Sequence, residues 1–418
     1  MHIGLLGFGV VGAGVYDWTR GRADLTVDRV LVRSSKPGIE TISTRSIEDI
    51  LNDPAIDTVV EVMGGLHPAY EYICAAIEAG KHVVTANKAV VAAYYPQLTA
   101  LARQHGVALR CTAAVGGGIP WLVNLERCKR LDRVVSVGGI MNGTSNFIMD
   151  AMHASPVSFP DILKKAQDLG YAEADPSADI DGDDIRRKLA ISANVAFDAL
   201  IDEEAIPTFG IRTVTDGDIA AFQRRGFVCK LLAAAQLSKE GICAWIEPTL
   251  VESHALEAAV PQNFNLITYS GASIGRQSFF GQGAGRYPTA YNVVQDCIDI
   301  LGGQRSFYAA DMAPAHLDLA GEAHPYYVRT EGHDDWLDSI TVDRWENGVA
   351  HCQQRGKWSL GDTLEALCPD GRSIPLTPEW IENEAGERVD STPHAMEKYT
   401  MPTPELPPMS LLRRKTAE

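Results

Sequence analysis

The chain opens with Met1-His2-Ile3-Gly4-Leu5-Leu6-Gly7-Phe8-Gly9-Val10-Val11-Gly12, and this stretch decides the fold of its N-terminal part. The apolar residues predict a β-strand over residues 2–7 that runs into a G-x-G-x-x-G turn. In that pattern the first glycine permits a tight turn, the second admits a pyrophosphate close to the backbone, and the third allows close packing of helix on strand. We therefore predict a dinucleotide site formed by Gly7, Phe8, Gly9, Val10, Val11 and Gly12.

Strands and helices alternate over residues 1–128. Apolar runs predict strands at 2–7, 29–32, 58–61, 82–85 and 108–111, with helices such as 68–79 and 94–105 between them. This alternation is typical of an α/β fold, namely a Rossmann-type, doubly wound and mostly parallel sheet. Residues 1–128 are thus predicted to be an NAD(P)-binding domain.

The pattern changes twice further along the chain. Residues 129–288 predict an α+β substrate domain, with strands at 134–141, 244–250 and 266–270 and a helix after Asp184. A helix over 289–303 is expected to pack back onto the first domain and complete it. Residues 320–418 combine short strand candidates with many Pro, Gly and charged residues, which predicts a separate small β-barrel domain.

An acidic segment over residues 170–188 is the second informative stretch. It gathers carboxylates in a turn-rich region and then places Asp184 and Lys188 four residues apart, on one face of a predicted helix. A lysine held beside carboxylates in a cleft can give a proton to a substrate oxygen. The alternative is an ordinary solvated ion pair. Together with a nucleotide site, the pair suggests a dehydrogenase.

The end of the second strand bears on the choice of cofactor. NAD enzymes usually place an acidic residue there to bind the ribose. This chain instead has Arg33, followed by Lys36, and no acid. The two cations favour NADP over NAD, although a solvated loop would explain Lys36 equally well.

Two further strand ends carry candidate side chains. Lys88 follows the predicted strand 82–85, where a ligand of an open α/β sheet binds. It could instead be an exposed lysine at a helix start. Residues 139–146 offer small and amide side chains suited to a carboxylate or amino group, but an ordinary turn would look the same.

Composition argues against nucleic-acid-binding, membrane-spanning and disulfide-rich secreted proteins. The net charge of −17 over 418 residues argues against general nucleic-acid binding, which needs clustered Lys and Arg. No apolar run is long enough for a bilayer, and no signal peptide precedes the first strand. The eight cysteines are scattered without a C-x-x-C pair, as expected for thiols in a reducing compartment. A cytoplasmic protein with a small-molecule substrate is predicted.

Taken together, these motifs resemble the homoserine dehydrogenase family over residues 1–303. The matching pieces are residues 7–12, 61–65, 85–89, 116–120, 141–146, 170–188 and 281–290, in the family's order. The resemblance implies a homodimer that reversibly reduces L-aspartate 4-semialdehyde to L-homoserine with NAD(P)H. Two alternatives stay open: a dehydrogenase of a related amino-acid semialdehyde, and a regulatory or binding protein that keeps the fold.

The resemblance also assigns roles to single residues. Lys188 corresponds to the proton donor, Asp184 and Glu173 to substrate-binding carboxylates, and Lys88 to a second active-site lysine. Asp179 belongs to the same acidic cluster, and the implied substrate site further includes Asn142, Gly143 and Thr144. The implied cofactor site adds Arg33, Gly64, Lys88 and Gly283 to the N-terminal glycine turn.

Two departures from the family stand out. The family often binds a sodium ion through a glutamate and nearby backbone carbonyls; here Thr112 stands at the glutamate position, and the carbonyls of Val115, Gly117 and Ile119 remain as ligands. The C-terminal part does not resemble the regulatory ACT domain of many members. It resembles the small C-terminal β-barrel of the collagenase-like peptidase family, over about residues 327–415.

Overall fold

The computed structural model describes residues 1–34, 36–304, 312–318, 340–353, 358–368, 372–392, 398–407 and 410–414. Ser35 of the predicted ribose loop and the start of the predicted 320–418 domain lie outside these ranges. Contacts between residues divide the chain into two compact units, Met1–Asp318 and Leu319–Glu418.

The first unit begins with a six-stranded parallel sheet in the order β3-β2-β1-β4-β5-β6. This order confirms the predicted Rossmann-type sheet, in which strand order reverses between β1 and β4. Leu6 pairs with both Leu31 and Glu61, so the carboxyl ends of three strands lie at one edge. The strands are β1 (His2–Leu6), β2 (Thr26–Leu31), β3 (Ser43–Thr44), β4 (Thr58–Glu61), β5 (His82–Thr85) and β6 (Leu109–Arg110).

Five α-helices lie within the described part of residues 1–129. The predicted helix 94–105 begins six residues earlier, because the Asn87 side chain accepts a hydrogen bond of 3.3 Å from the Val90 backbone N–H and caps the helix at Lys88. The helices are α1 (Val10–Thr19), α2 (Glu48–Leu51), α3 (Ala69–Glu78), α4 (Lys88–Gln104) and α5 (Trp121–Lys129).

An antiparallel five-stranded sheet follows within the same unit, in the order β10-β9-β7-β11-β12. Strands β9 and β12 were not predicted. Strands β10 and β11 extend the predicted ranges by a few residues, and β7 ends one residue earlier than predicted. A short parallel pair, β8 with β13, stands apart from this sheet. The strands are β7 (Val134–Ile140), β8 (Ala199–Leu200), β9 (Phe227–Leu237), β10 (Ile242–Glu252), β11 (Phe264–Gly271), β12 (Gly275–Gln282) and β13 (Ala313–Pro314).

Six α-helices lie in the described residues of this second part of the first unit. They are α6 (Gly143–Ala154), α7 (Phe159–Asp168), α8 (Ser177–Ile180), α9 (Asp183–Phe197), α10 (Asp216–Arg224) and α11 (Arg286–Leu301). Helix α9 packs on β7, whereas α11 packs on α1 and adds apolar side chains to the core of the parallel sheet. None of the helices in the described part of the chain combines the length and the apolar character needed to cross a membrane.

In its described residues the second unit consists of β-strands and their connections, as the sequence predicted. Its strands form an antiparallel sheet in the order β17-β16-β21-β14-β15-β20-β18-β19 around one apolar core, which includes Trp358, Tyr399 and Met401. The strands are β14 (Ile340–Glu346), β15 (Val349–Gln353), β16 (Leu364–Leu367), β17 (Ser373–Leu376), β18 (Ile381–Asn383), β19 (Arg388–Val389), β20 (Lys398–Pro402) and β21 (Leu411–Arg414).

His153 attaches α6 to the five-stranded sheet. Its Nε2 atom accepts a hydrogen bond of 2.9 Å from the Cys229 backbone N–H, so this nitrogen carries no proton in the folded chain. Burial and, secondly, the Lys230 ammonium group lower the pKa of His153 from 6.5 to about 4. Between these values the unfolded chain binds more protons than the folded chain. The stability that His153 contributes above pH 6.5 is therefore lost as the pH falls toward 4.

We expect His153→Gln to flatten the pH dependence of the free energy of unfolding between about pH 7 and about pH 5. The Gln side-chain oxygen can still accept from the Cys229 N–H, but it does not titrate. Urea unfolding at both pH values measures the effect. His254→Gln is the matched control, because the His254 side chain is 82% exposed and should leave the parent slope unchanged. A parent-like slope in His153→Gln would rule out His153 as the titrating group.

Candidate active site

Two lysines and one buried aspartate form an ion-pair cluster in the first unit. We call this cluster, made of Lys88, Asp184 and Lys188, the Asp184 centre. Asp184, in the first turn of α9, is only 5% exposed. Its Oδ2 atom lies 2.7 Å from Lys188 Nζ, one helical turn later, and its Oδ1 atom accepts a hydrogen bond from Lys88 Nζ at the start of α4. The sequence analysis expected the first pair from its spacing. The structure adds Lys88, 96 residues away along the chain, to the same carboxylate.

The charge of this carboxylate is fixed by its surroundings. Burial alone would raise the pKa of Asp184, but the ammonium groups of Lys188 and Lys88 outweigh it and lower that pKa below its ordinary value. Asp184 is therefore ionised at neutral pH. Lys188 Nζ also donates to the Met141 carbonyl at 2.8 Å. These two described acceptors use two of the three N–H bonds of the ammonium group, and the third is available to a ligand.

Asn142 links this centre to the acidic segment. Its Nδ2 atom donates to Asp184 Oδ2 at 3.0 Å and to Asp179 Oδ1 at 2.7 Å. Its Oδ1 atom accepts from the Ser145 backbone N–H and caps α6. The end of β7, the start of α6 and the acidic segment thus meet at one buried amide, and the sequence-predicted Asn142, Asp179 and Asp184 are brought together.

Glu173 and Thr144 occupy a more peripheral place. Glu173 is exposed, and in the described residues its side chain makes no hydrogen bond to the Asp184 centre. Its backbone is nevertheless held: the Glu173 carbonyl accepts from Gln167 Nε2 at 3.1 Å, and Thr144 Oγ1 donates to the Tyr171 carbonyl at 2.6 Å. The predicted Thr144 therefore fastens the segment that carries Glu173.

The turn over residues 260–264 closes one side of Gly143. A Cβ atom at Gly143 would lie 2.6 Å from the Asn263 carbonyl oxygen, so only glycine fits there. Asn146 Nδ2 donates to the Gln262 carbonyl at 2.8 Å, and the fully buried Lys230 donates to the Val260 carbonyl at 2.9 Å. The sequence analysis assigned no role to Lys230, because a lysine within a strand gives no local signal of burial.

The predicted nucleotide turn has the geometry that a pyrophosphate needs. A Cβ atom at Gly9 would have nothing within 4 Å, so the backbone there faces open space at the start of α1. A Cβ atom at Gly12 would overlap the Gly7 carbonyl oxygen. Gly12 thus permits close packing, and Gly9 leaves room for a ligand at the helix N-terminus. The residues of this turn fit a dinucleotide cofactor.

The other cofactor candidates lie at the same edge of the sheet. Arg33 is exposed two residues beyond the end of β2, and Gly64 faces open space three residues beyond β4, with φ +81°. Lys88 follows β5, and its side chain is 40% exposed. Because parallel strands end at one edge, these residues and the glycine turn surround the point where strand order reverses.

Glu61 is a residue whose role the sequence analysis missed. Its buried carboxylate ends β4 and accepts from the Met63 backbone N–H at 2.8 Å and from Thr85 Oγ1 at 2.6 Å. Asn87 completes the arrangement by donating to the Gly65 carbonyl at 2.7 Å. These contacts fix the loops that carry Gly64 and Lys88. A carboxylate at the end of a four-residue apolar strand is the signal that could have indicated this role.

The turn at residues 115–119 and the turn that contains Gly283 pack against each other. A Cβ atom at Gly117 would lie 2.5 Å from the Gly283 carbonyl carbon, and one at Gly283 would overlap the Asn265 side chain. The Gly118 backbone N–H donates to the Gln282 carbonyl at 3.1 Å. Two of the predicted cation-binding carbonyls, those of Gly117 and Ile119, accept hydrogen bonds from Asn292.

Comparison with known proteins identifies the families that three parts of the chain match. Residues 7–112 match the profile "Homoserine dehydrogenase, NAD binding domain", residues 120–298 match "Homoserine dehydrogenase", and residues 340–413 match "Peptidase family U32 C-terminal domain". The last match agrees with the expected resemblance to the collagenase-like peptidases.

Individual relatives extend these matches. The homoserine dehydrogenase of Synechocystis sp. is 41% identical over 80% of each chain, and that of Bacillus subtilis is 37% identical over 73% of this chain and 74% of its own. A solved homoserine dehydrogenase from Thiobacillus denitrificans covers 99% of this chain and 91% of its own, with a TM-score of 0.73 and 30% identity. The chain therefore belongs to the homoserine dehydrogenase family, and it is an NAD(P)-dependent oxidoreductase.

Proposed function

We propose that the chain reversibly reduces L-aspartate 4-semialdehyde to L-homoserine at the Asp184 centre, with Lys188 as the proton donor. The observation that carries this proposal is the position of Lys188 Nζ, 2.7 Å from a buried carboxylate and 2.8 Å from the Met141 carbonyl. Lys88 connects the same carboxylate to the edge of the sheet where the dinucleotide turn lies.

Lys188 acts on the substrate oxygen. When bound, the reduced nicotinamide supplies a hydride for the aldehyde carbon. The carbonyl oxygen gains negative charge as its double bond is reduced, and the Lys188 ammonium group stabilises that charge and transfers a proton to it. The amine that remains is protonated again from solvent. In the oxidative direction the amine accepts the hydroxyl proton.

Asp184 and Lys88 prepare Lys188 for this step. The ionised carboxylate fixes the direction of the Lys188 ammonium group, and the Met141 carbonyl accepts a second N–H bond from it. Lys88 balances part of the charge on Asp184. Its half-exposed side chain provides a positive group for the substrate carboxylate.

The acidic segment supplies the complementary charge for the substrate amine. Asp179 accepts from Asn142 and stands beside the Asp184 centre, whereas Glu173 is exposed on a segment held by Thr144 and Gln167. We assign both carboxylates to the α-ammonium group of the substrate, with Asn142, Gly143 and Thr144 shaping the pocket.

We assign cofactor binding to the part with the parallel sheet and substrate binding to the part with the five-stranded antiparallel sheet. Residues 1–128 with helix α11, which was predicted over 289–303, bind the cofactor. Residues 129–288 bind the substrate, and residues 320–418 form an additional domain. Strand β12 at the edge of the five-stranded sheet exposes Phe280, which supports a homodimer. Seven of the eight free cysteines are buried thiols, which suits a cytoplasmic enzyme.

Turnover of purified protein separates the proposed reaction from the two alternatives raised in the sequence analysis. A dehydrogenase of a related semialdehyde would prefer another aldehyde over aspartate semialdehyde in kcat/KM. A regulatory protein that keeps the fold would bind NADPH without oxidising it. Burying the charged Asp184 and Lys188 costs free energy of desolvation. Such a cost is common at catalytic sites, so the cluster favours an enzyme over a binding protein.

We expect Gly9→Val to weaken NADPH binding by about a hundredfold or more, since the new side chain occupies the space where the pyrophosphate approaches the backbone. Fluorescence titration of NADPH measures the dissociation constant, and circular dichroism checks the fold. Gly217→Val is the matched control, because a Cβ atom there makes only an ordinary contact of 3.6 Å with Thr215. Unchanged affinity in Gly9→Val would refute this site.

We expect NADPH to be preferred over NADH, and Arg33→Ala to reduce that preference by about tenfold. The guanidinium group is exposed at the end of β2, where it can pair with a 2′-phosphate that NADH lacks. The ratio of kcat/KM for the two cofactors is the measurement. Arg130→Ala, whose side chain is also exposed and pairs with Glu126, should leave the ratio unchanged. A parent enzyme that prefers NADH would contradict the assignment.

We expect Lys188→Ala to lower kcat by about a hundredfold or more, as loss of a general acid does, with little change in NADPH affinity. Asp184→Ala should lower kcat less, because Asp184 orients the amine and does not itself carry the proton. Steady-state kinetics with aspartate semialdehyde and NADPH titration give both quantities.

Lys164→Ala is the matched control for Lys188→Ala. Lys164 also pairs with an aspartate four residues away, Asp168, but both side chains are well exposed. This variant should keep parental turnover. Near-normal turnover of Lys188→Ala would mean that Lys188 is only an ion-pair partner.

A further inference from the structure

Helix α11 holds the strand end β6 and the following turn through a polar seam of three side chains, Asn292, Asp296 and Asp299. Asp296 is 1% exposed and accepts from Arg110 Nε at 3.1 Å and from Thr112 Oγ1 at 2.7 Å. Asp299 accepts from the Arg110 guanidinium group. The three side chains lie on successive turns of one helix face, so the seam is continuous.

Asn292 forms the first part of this seam and is 2% exposed. Its Nδ2 atom donates to the Gly117 carbonyl at 2.5 Å and to the Ile119 carbonyl at 3.1 Å. Carbonyl oxygens accept and cannot donate, so the nitrogen of the amide must face them. The amide therefore supplies positive partial charge at the point where these two carbonyls converge.

Those carbonyls are the ones that the family resemblance assigns to a sodium ion, and the residues present do not fit that ion. An alkali cation needs oxygen ligands around it, whereas two of the three expected carbonyls already face an amide N–H group. Thr112 carries no charge, and its hydroxyl donates to Asp296. Asp296 in turn is paired with Arg110. A cation that binds here would lose its water ligands, which costs free energy. The one carboxylate among these groups, that of Asp296, is already paired with Arg110 and does not compensate for that cost.

We propose that the Asn292 amide takes the place of the cation, so that the turn over residues 115–120 is held in this chain without sodium. Asn292 is then a positioning residue. The turn packs against Gly283 through Gly117, and it leads directly into α5, where Trp121 Nε1 donates to Ser192 Oγ at 2.9 Å. Ser192 Oγ donates to the Lys188 carbonyl at 2.7 Å, so the turn is connected to the helix that carries the active-site lysine.

Thermal unfolding of the full chain tests the proposal without relying on activity. The melting temperature is measured in sodium chloride and in choline chloride at equal ionic strength. We expect the parent chain to melt at the same temperature in both salts, and kcat with aspartate semialdehyde to be equally indifferent. A higher melting temperature specifically in sodium would overturn the proposal, whatever the outcome of the activity assay.

Two variants of Asn292 sharpen the test. Asn292→Ala removes both hydrogen bonds and should lower the melting temperature by about 3 °C or more in either salt. Asn292→Asp places a carboxylate beside the two carbonyls. It should be destabilised in choline and partly restored by sodium, because the variant now offers the oxygen ligands and the charge that a cation requires.

Asn124→Ala is the matched control. Asn124 Nδ2 also donates to a carbonyl of this turn, that of Pro120 at 2.6 Å, but the contact is exposed. This variant should lose little stability and show no dependence on the cation. An Asn292→Asp variant that responds to sodium no more than Asn124→Ala does would contradict the view that the amide stands at the cation position.

Discussion

The ionised Asp184 carboxylate is buried, and the three side chains that pair with it or donate hydrogen bonds to it come from three separate parts of the chain. Lys188 lies on the same helix as Asp184, Lys88 begins the helix after β5, and Asn142 caps α6 just after β7. An unpaired charge at this depth would cost several kcal/mol. The requirement to pair it therefore constrains how the edge of the parallel sheet meets the antiparallel sheet.

Close approaches of backbone support this arrangement from the other side. Gly14 on α1 lies against Arg286 and Ala290 of α11, and a Cβ atom at Gly14 would lie 2.6 Å from the Arg286 carbonyl oxygen. Helix α11, although it comes late in the sequence, thus packs on α1, the helix that follows the nucleotide turn. The same helix holds the turn after β6 through its polar seam. One element consequently positions both the cofactor edge and the connection to α5.

The second unit has its own apolar core and its own sheet. Its apolar side chains form a core of their own, and its strands pair only with one another within the described residues. It carries none of the side chains that form the Asp184 centre. Catalysis as proposed here is therefore a property of the first unit.

The sequence by itself determined the elements whose signals are local. The glycine spacing after β1, the apolar runs of the parallel strands and the Asp184–Lys188 spacing depend on contacts within a few residues, so they could be predicted. Strand β9 could not. Its Ala-rich run shows no regular alternation and includes Lys230. The burial of Lys230 depends on distant partners, because Asn146 and the Val260 carbonyl accept its hydrogen bonds and Asp150 Oδ1 lies 3.5 Å from its Nζ.

Only the tertiary structure decided the contacts between distant residues. Lys88 meets Asp184, Glu61 organises two loops, and Asn292 reaches Gly117, 175 residues earlier in the chain. None of these pairs has a fixed sequence spacing, because each depends on strand order and on where a later helix packs. Propensity and periodicity describe neighbours along the chain, whereas the chemistry of this site depends on neighbours in space.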